Sequence, residues 1–523
     1  MHPGNPLRRA LFLLCTASQI LSSSVAGEDA VVELQDEPQL EAFHADTVQA
    51  ILVEATVITT VNATEEPACV FPFEQCSPRH RDEKNRLMQR LDRKDGTWNT
   101  NHPRWRLLKA IDGFASYGRL GRAEVKRWRD MYAHVPQEQK AVLEAAVPYK
   151  TKLNTVEHHI ATNAALAEAV AAHSMSYYGI THKELNDFIR AEEKAGRGSE
   201  KHSVVQALKH YVRDWSLEGA QERDAAFPCI LAALEGVRER QRKIGSGKGG
   251  REDEKALTVL LPGSGLGRLG HEVASLGGFD VTINEWSTYM IAAYRYIEAN
   301  LSPIALSLAA SDDSTSPPIS FHPFIDSLSH HASNDNLFRK ITLSPFSPLH
   351  SSSSSSSSSP SPPTHKNIFH PASVVLAEGD FTTIFAQQQQ HDHQQYDVII
   401  THFFIDTARN LLSYLSTIHA LLSPGGHWIN LGPLLYGTGP WVQLSLDEVV
   451  LVSERMGFEF EDLPSPASTQ AEGEHVCGVP TFPDAAPGSG LSRVRGRYAG
   501  YGFDERALTR NAYQAQAWVA RKK

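Results

Sequence analysis

The sequence predicts an α/β protein in which a helical N-terminal domain precedes a largely parallel sheet. Three observations carry that prediction: a glycine-poor first half with helical spacing, a later alternation of strand and helix patterns, and a glycine-rich turn where the alternation starts. Between about Asp82 and Lys243 glycines are few, and Ala, Leu, Glu, Lys and Arg abound. Apolar residues recur there at helical spacing, as at Leu153, Val156, Ile160 and Ala164. We take residues 82–244 as the helical domain. The segment GSGKGGREDE, Gly245 to Glu254, reads as a linker.

From residue 255 to 523 the pattern changes. ALTVLLPG is a buried strand, GRLGHEVASLG a helix and FDVTINEW a second strand. VVLA is a short strand, YDVIITHFFID a strong one, NLLSYLSTIHALLS a helix, and GGHWINLGPL a strand after a Pro-Gly-Gly turn. Two biased runs interrupt this part: LHSSSSSSSSSPSPPTH within 346–366 and QQQQHDHQQ within 386–395. Serine and glutamine runs bury too little surface to order themselves, so both are expected to be flexible insertions. The HDH triplet is read as solvated loop, and no metal site is expected.

A chain of 523 residues is too long for one compact domain, and two are expected. A net charge of −10, with 21% charged and 41% hydrophobic residues, is ordinary for a globular protein and argues against a polyanion binder such as a nucleic-acid protein. Five cysteines (Cys15, Cys69, Cys76, Cys229, Cys477) cannot staple a fold of this size, and none has paired zinc spacing. They are expected as buried or idle thiols, with a local Cys69–Cys76 bridge as the alternative. Arg8 and Arg9 before the apolar run Ala10–Leu21, with Ser24-Val25-Ala26 behind it, outline a secretory signal. A disordered leader over residues 1–26 reads equally well. Residues 27–81 lack a sustained period and are expected to be poorly ordered. No later run is apolar enough to anchor the chain stably in a membrane.

The functional reading starts at LLPGSGLGRLGHEVASLGGFDVTINEWS, Leu260 to Ser287. Gly263, Gly265 and Gly267 form a turn that lets a ligand approach the backbone, and the helix behind it favours negative charge. Glu285, about 20 residues on, is placed to take two ribose hydroxyls. NAD-dependent oxidoreductases and methyltransferases that bind S-adenosylmethionine share both features. Downstream, EGDFTTIF puts Asp380 where it can accept from an adenine amine and Phe381 where it can cover the ring; a surface turn with a core Phe is the plainer reading. The polar end of YDVIITHFFID and the helix, turn and strand of LLSPGGHWINLGP are common in the methyltransferase sheet.

Together PGSGLGRL, NEWS, FFIDTARN and PGGHWINLGPLLY resemble the carnosine N-methyltransferase family. The likeness extends from about Trp105 to the C-terminus through SYGRLGRAEVKRWRDMYAHVP, HYVRDWSLEGAQERD and FHPFIDSLSHHASNDNLFRKI. The resemblance implies a Rossmann-like class I methyltransferase sheet, S-adenosylmethionine as cofactor and methyl transfer to the imidazole of carnosine or a related histidine-containing dipeptide. It implies a cofactor site of His210, Arg213, Gly263, Gly265, Glu285, Asp380, Phe381 and His402. Arg213 suits the methionine carboxylate through a paired hydrogen bond. His210 stands where the family has Gln, and His402 where it has Cys; both types can donate hydrogen bonds.

For the acceptor, Asp406 can accept from one imidazole N–H and leave the other nitrogen aimed at the methyl group. The same residue reads as an N-cap for a helix beginning near Thr407. The resemblance implies that Tyr513 contacts substrate, with a core tyrosine as the alternative. After LLY the family usually has His as a substrate ligand, whereas this chain has Gly437. Tyr436 or Trp441 would then reshape the pocket.

Two rivals stand beside this reading: a methyltransferase-like protein that binds cofactor without transferring methyl, and an NAD-dependent oxidoreductase, which lacks a hydride-transfer constellation. A small molecule or dipeptide is the expected partner; a homodimer is compatible with the sequence, which leaves the oligomeric state open. The compartment is read as cytoplasm or nucleus, or the secretory pathway if residues 1–26 are a signal.

Overall fold

The structure, a computed structural model, describes residues 77–245, 255–300, 318–344, 346–349, 374–392, 395–437, 439–463 and 476–523, and these belong to one compact unit. The N-terminal signal-like run, Cys15, Cys69, Cys76, the linker at 246–254 and the Ser run lie outside the described residues.

Seven helices come first: α1 (Pro78–Arg90), α2 (Pro103–Ala133), α3 (Gln137–Ala146), α4 (Tyr149–Tyr178), α5 (His182–Lys194), α6 (His202–Trp215) and α7 (Ala220–Gly245). The leader assigned to residues 27–81 therefore ends too late. α1 begins at Pro78, a residue pre-set for a first helical turn, and polar side chains tie that turn to the sheet. His80 Nε2 is 3.0 Å from the Val374 carbonyl, and Arg79 Nη1 donates to Asp280 at 3.2 Å. These long-range bonds have no periodic signature in the sequence.

The second part runs β1 (Leu257–Pro262), α8 (Arg268–Ser275), β2 (Phe279–Glu285), α9 (Thr288–Asn300), β3 (Ser320–Phe321), α10 (Asn334–Phe338), β4 (Ile341–Thr342), β5 (Val374–Glu378) and α11 (Phe381–Asp392). β6 (Tyr396–His402), α12 (Leu411–Leu421), β7 (Leu422–Gly432), α13 (Leu446–Arg455), β8 (Phe458–Glu461), β9 (Val479–Pro480), β10 (Arg495–Gly500) and β11 (Ala512–Lys522) follow. The main sheet has the order β5-β2-β1-β6-β7-β11-β10-β9, with β8 paired to β11. β5, β2, β1, β6 and β7 are parallel; β11 joins β7 antiparallel, as do β10 and β9 beyond it. β7 starts at Leu422, before the Pro-Gly-Gly expected as a turn, and a register shift between Tyr396 and Val398 absorbs that segment.

Neighbouring residues on β1 bury opposite faces, as a sheet covered on both sides requires. Val259 and Leu261 join one core with residues of α2, α4, α6, α7 and α9. Leu260 joins the other with Ile399, Trp428, Trp518 and residues of α12 and α13. The chain moves from β1 outward to β2 and β5, then returns to β6 on the other side of β1. Loops leaving β1 and β6 diverge there, which opens a crevice at the carboxyl ends of the strands.

Three further expectations are corrected. The glutamine insertion starts as helix: α11 continues to Asp392, since Gln sustains a helix that Asp380 has already capped. The serine insertion begins later than residue 346, because Phe346 is buried against Trp215 and His271 and the Leu349 amide donates to Glu272. Cys229 of α7 and Cys477, idle thiols by the sequence reading, form a disulfide across 248 residues of chain. Proximity across such a separation is a tertiary fact. Among the described residues, no helix is long and apolar enough to cross a membrane.

Candidate active site

The crevice is built around three left-handed glycines: Gly263 (φ 65°), Gly265 (φ 57°) and Gly267 (φ 73°). Gly263 also needs its missing side chain, because a Cβ there would stand 2.3 Å from the Phe404 ring at the end of β6. This contact draws the ends of β1 and β6 together. A cavity of about 660 Å³ opens between them, lined by Gly263, Glu285, Asp380, Phe381, Phe403 and Trp441 among others.

Glu285 closes β2 in a nest of backbone amides. Gly265 N–H donates to Oε2 at 2.8 Å, and the Trp286 and Ser287 amides donate to Oε1 at 2.8 and 2.7 Å. Burial raises its pKa, and those amides with the charge of Arg106 pull the other way. A carboxylate has about four acceptor sites, so bonds to a ribose remain open to it. Asp380 uses Oδ1 as the N-cap of α11, accepting from the Thr382 amide at 3.0 Å and the Thr383 amide at 3.1 Å. That arrangement fixes the direction of Oδ2. Phe381 is buried against Phe404 and Tyr414, whose rings stack at 4.7 Å. It lines the cavity and also belongs to the core.

At the other end of the glycine turn, a Cβ on Gly265 would stand 3.6 Å from Arg213 Nη2 and 3.9 Å from the His210 ring. Arg213 is forked onto Asp214 at 2.7 and 3.1 Å, with its guanidinium 4.8 Å from the Tyr501 ring centre. Burial alone would lower its pKa, but Asp214 and Tyr501 raise it above the usual arginine value, so the charge is secure. Burial, then Arg213, push His210 down to about 4 and His402 down to about 3, so both rings are neutral. In neutral His210 both nitrogens face protein groups: Nδ1 is 2.8 Å from the Gln206 carbonyl and Nε2 3.4 Å from the Tyr501 hydroxyl. His402 differs. Its Nε2 is sealed from solvent with no hydrogen-bond partner among the described residues.

Asp406 lies in a 3-10 turn, Ile405–Thr407, next to cavity-lining Phe404 and Thr407 but not itself among the lining residues. Oδ2 accepts from the Leu435 amide at 3.0 Å, and burial pushes the carboxyl up to about 6. The N-cap reading of Asp406 is not realised: α12 starts at Leu411, and Asn410 caps it through the Leu412 amide. Tyr436 spends its hydroxyl on the Leu444 backbone, donating to the carbonyl and accepting from the amide. Any acceptor contact from it falls to its ring. Tyr513 reaches the site through Phe403, whose ring it meets edge-on at 5.8 Å.

Sequence reasoning missed the residues that join these parts. Phe403 adopts φ 51°, unusual for a side-chain-bearing residue, and stacks on Tyr501 at 4.9 Å. Trp286, 55% exposed, walls both this cavity and a neighbouring one of about 450 Å³. Arg106 from α2 lies 3.7 Å over the Trp286 ring and donates to its carbonyl. Of these, Trp286 alone had a signal, its place beside the acid of NEWS.

The fit of an adenosyl cofactor rests on three features: a cradle that a Cβ would fill, an acid at the end of β2, and the orphaned nitrogen of His402. Fold and crevice thus define a Rossmann-like α/β protein whose switch-point groups are suited to a nucleoside cofactor. Residues 191–470 match the family described as carnosine N-methyltransferase, and the chain belongs to that family. It is 27% identical over 369 residues to carnosine N-methyltransferase of Schizosaccharomyces pombe, covering 68% of this chain and 87% of that one. The Mus musculus enzyme is 27% identical, covering 68% and 77%. The Dictyostelium discoideum enzyme is 31% identical over shorter shares, 44% and 41%. The protein is a methyltransferase, and S-adenosylmethionine is its methyl donor.

Proposed function

We propose that the protein methylates an imidazole nitrogen of carnosine or a related histidine-containing dipeptide, with Asp406 as the residue that orients the ring. One observation carries the reading: a buried carboxylate, held by the Leu435 amide, at the switch-point end of β6. The acceptor is the one printed in the relatives' names, brought here as a proposal.

The cofactor supplies an electrophilic methyl on a sulfonium. Arg213 would offer its remaining donors to the methionine carboxylate, Glu285 an acceptor to the ribose hydroxyls and Asp380 Oδ2 an acceptor to the adenine amine. His402 Nε2 would gain the partner it lacks. Phe403, Phe404 and Tyr414 keep water out of the path. An imidazole with an ordinary pKa of ~6.5 is mostly neutral at pH 7. Ionised Asp406 would accept from one ring N–H and leave the lone pair of the other nitrogen free as the nucleophile. Transfer of the methyl to that nitrogen, with the sulfonium leaving as a neutral thioether, would make the ring an imidazolium; the carboxylate would stabilise it and take up its N–H proton or pass it to solvent. Holding the reactants in line is worth roughly 7–11 kcal/mol. Residues 82–244 would close the methionine end through Arg213, and residues 255–523 would carry the chemistry.

A second reading, cofactor binding without transfer, is favoured by Gly437, around which a Cβ would meet nothing within 4 Å. Incubation with isotopically labelled S-adenosylmethionine and carnosine, followed by mass spectrometry of the small molecules, separates the two. Labelled methylcarnosine is expected. Binding of S-adenosylhomocysteine with no labelled product supports the second reading and overturns the first.

A further inference from the structure

At the mouth of the 660 Å³ cavity stands a cation with no partner among the described residues. Arg409 lies on the loop between β6 and α12, three residues after Asp406 and exposed, and it lines the cavity together with Trp441. Its guanidinium makes no hydrogen bond or ion pair among the described residues. The other arginines near the crevice are committed: Arg213 to Asp214, Arg106 to the Trp286 carbonyl and Arg90 to Glu83.

The surroundings hold Arg409 at the opening. The Trp441 amide donates to the Arg409 carbonyl at 2.6 Å, which ties the loop after β7 to the loop after β6. A Cβ on Gly439, φ 76°, would stand 3.7 Å from Arg409 Nη2, so the guanidinium rests against a turn that carries no side chain. Trp441 itself is 72% exposed while lining the same cavity. An unpaired guanidinium and an uncovered indole across one opening suit a ligand with an anionic oxygen pair and an apolar stem. The cofactor's own carboxylate has its cation at the opposite end of the glycine turn, where Arg213 lies beside Gly265.

We propose that Arg409 binds a carboxylate on the methyl acceptor, and that the acceptors are therefore imidazole compounds bearing a free carboxylate. This rests on the imidazole reading above. The guanidinium fork takes the two carboxylate oxygens while Asp406 holds the ring, so one loop fixes the acceptor at two points. With Gly437 offering no side chain, that second point is what orients the acceptor.

The test uses the full-length protein with two acceptors that share the imidazole: carnosine, and β-alanylhistamine, which lacks the carboxylate. Wild-type enzyme is expected to prefer carnosine about three- to five-fold in kcat/KM, the scale of an exposed charge pair. Arg409→Gln should remove that preference through a higher KM for carnosine, with kcat, β-alanylhistamine turnover and S-adenosylhomocysteine affinity unchanged. Arg409→Lys, which keeps the charge but not the fork, should restore part of it. Equal turnover of both acceptors by wild type, or an equal loss on both in Arg409→Gln, overturns this proposal alone. Weaker S-adenosylhomocysteine binding in Arg409→Gln also overturns it, assigning the cation to the cofactor. Turnover of neither acceptor by wild type overturns the imidazole reading together with it.

Discussion

The two ends of the crevice are built differently. Around the glycine turn, where we propose the cofactor sits, the backbone shapes the crevice: three glycines at positive φ, three amides on Glu285, and an N-cap that fixes Asp380. The end we propose for the acceptor relies instead on side chains of two loops: Asp406 and Arg409 after β6, Tyr436 and Trp441 after β7. Backbone groups are held by the sheet and pay little to be ordered, whereas loop side chains can be exchanged one at a time. The contrast suggests that cofactor binding should tolerate substitution poorly and acceptor choice should be adjustable.

The largest effect expected is at Asp406. Asp406→Asn should lower kcat about 10²–10⁴-fold, the range of a positioned acid–base group, with S-adenosylhomocysteine affinity unchanged by calorimetry. Activity of the wild type should fall as the pH drops through about 6, where Asp406 takes up its proton. Stability should move the other way. The folded pKa lies above the unfolded value of 3.8, so the fold loses stability as pH rises between these values and carries the full cost at neutral pH. That cost is at most about 3 kcal/mol, and Asp406→Asn should melt higher than wild type at pH 8 and no higher at pH 3. Loss of cofactor binding in this variant would break the contrast between the two ends.

Gly263→Ala comes next. Its Cβ meets the Phe404 ring at a strained φ, and overpacking costs about 1–3 kcal/mol. Roughly ten- to hundred-fold weaker S-adenosylhomocysteine binding is expected, measured by calorimetry, with a lower melting temperature. Glu285→Gln should weaken the same binding by about ten-fold, the worth of a charged hydrogen bond, and leave the KM for carnosine unchanged; a shift in KM alone would assign Glu285 to the acceptor. The smallest effect is at Gly437. Open space around it predicts that Gly437→His changes stability by less than about 0.5 kcal/mol. A few-fold lower KM for carnosine would sharpen the idea that acceptor choice sits on this loop.

The strands and helices around the glycine turn were legible because period and turn chemistry are local properties. β1, α8, β2, β5 and α12 fall where the pattern puts them. The last strands were not read as antiparallel, since a hairpin closing a parallel sheet has the same alternation as any half-buried strand. For the crevice, the places of Glu285 and Asp380 were legible because one ends a strand and the other caps the helix that follows β5. Phe403, Arg106 and Tyr501 were not, because nothing local marks an arginine of α2 as the neighbour of Trp286, or a tyrosine after β10 as the neighbour of Arg213.

From sequence alone came the α/β plan, the glycine turn after β1 and the family, all of which depend on residues near one another in the chain. Tertiary structure alone decided which cation is spoken for and which stands open, and which cysteines meet. It also decided which acid is buried enough to titrate near 6. Pairing, burial and desolvation are properties of what the fold brings from a distance, and no window along the chain contains them.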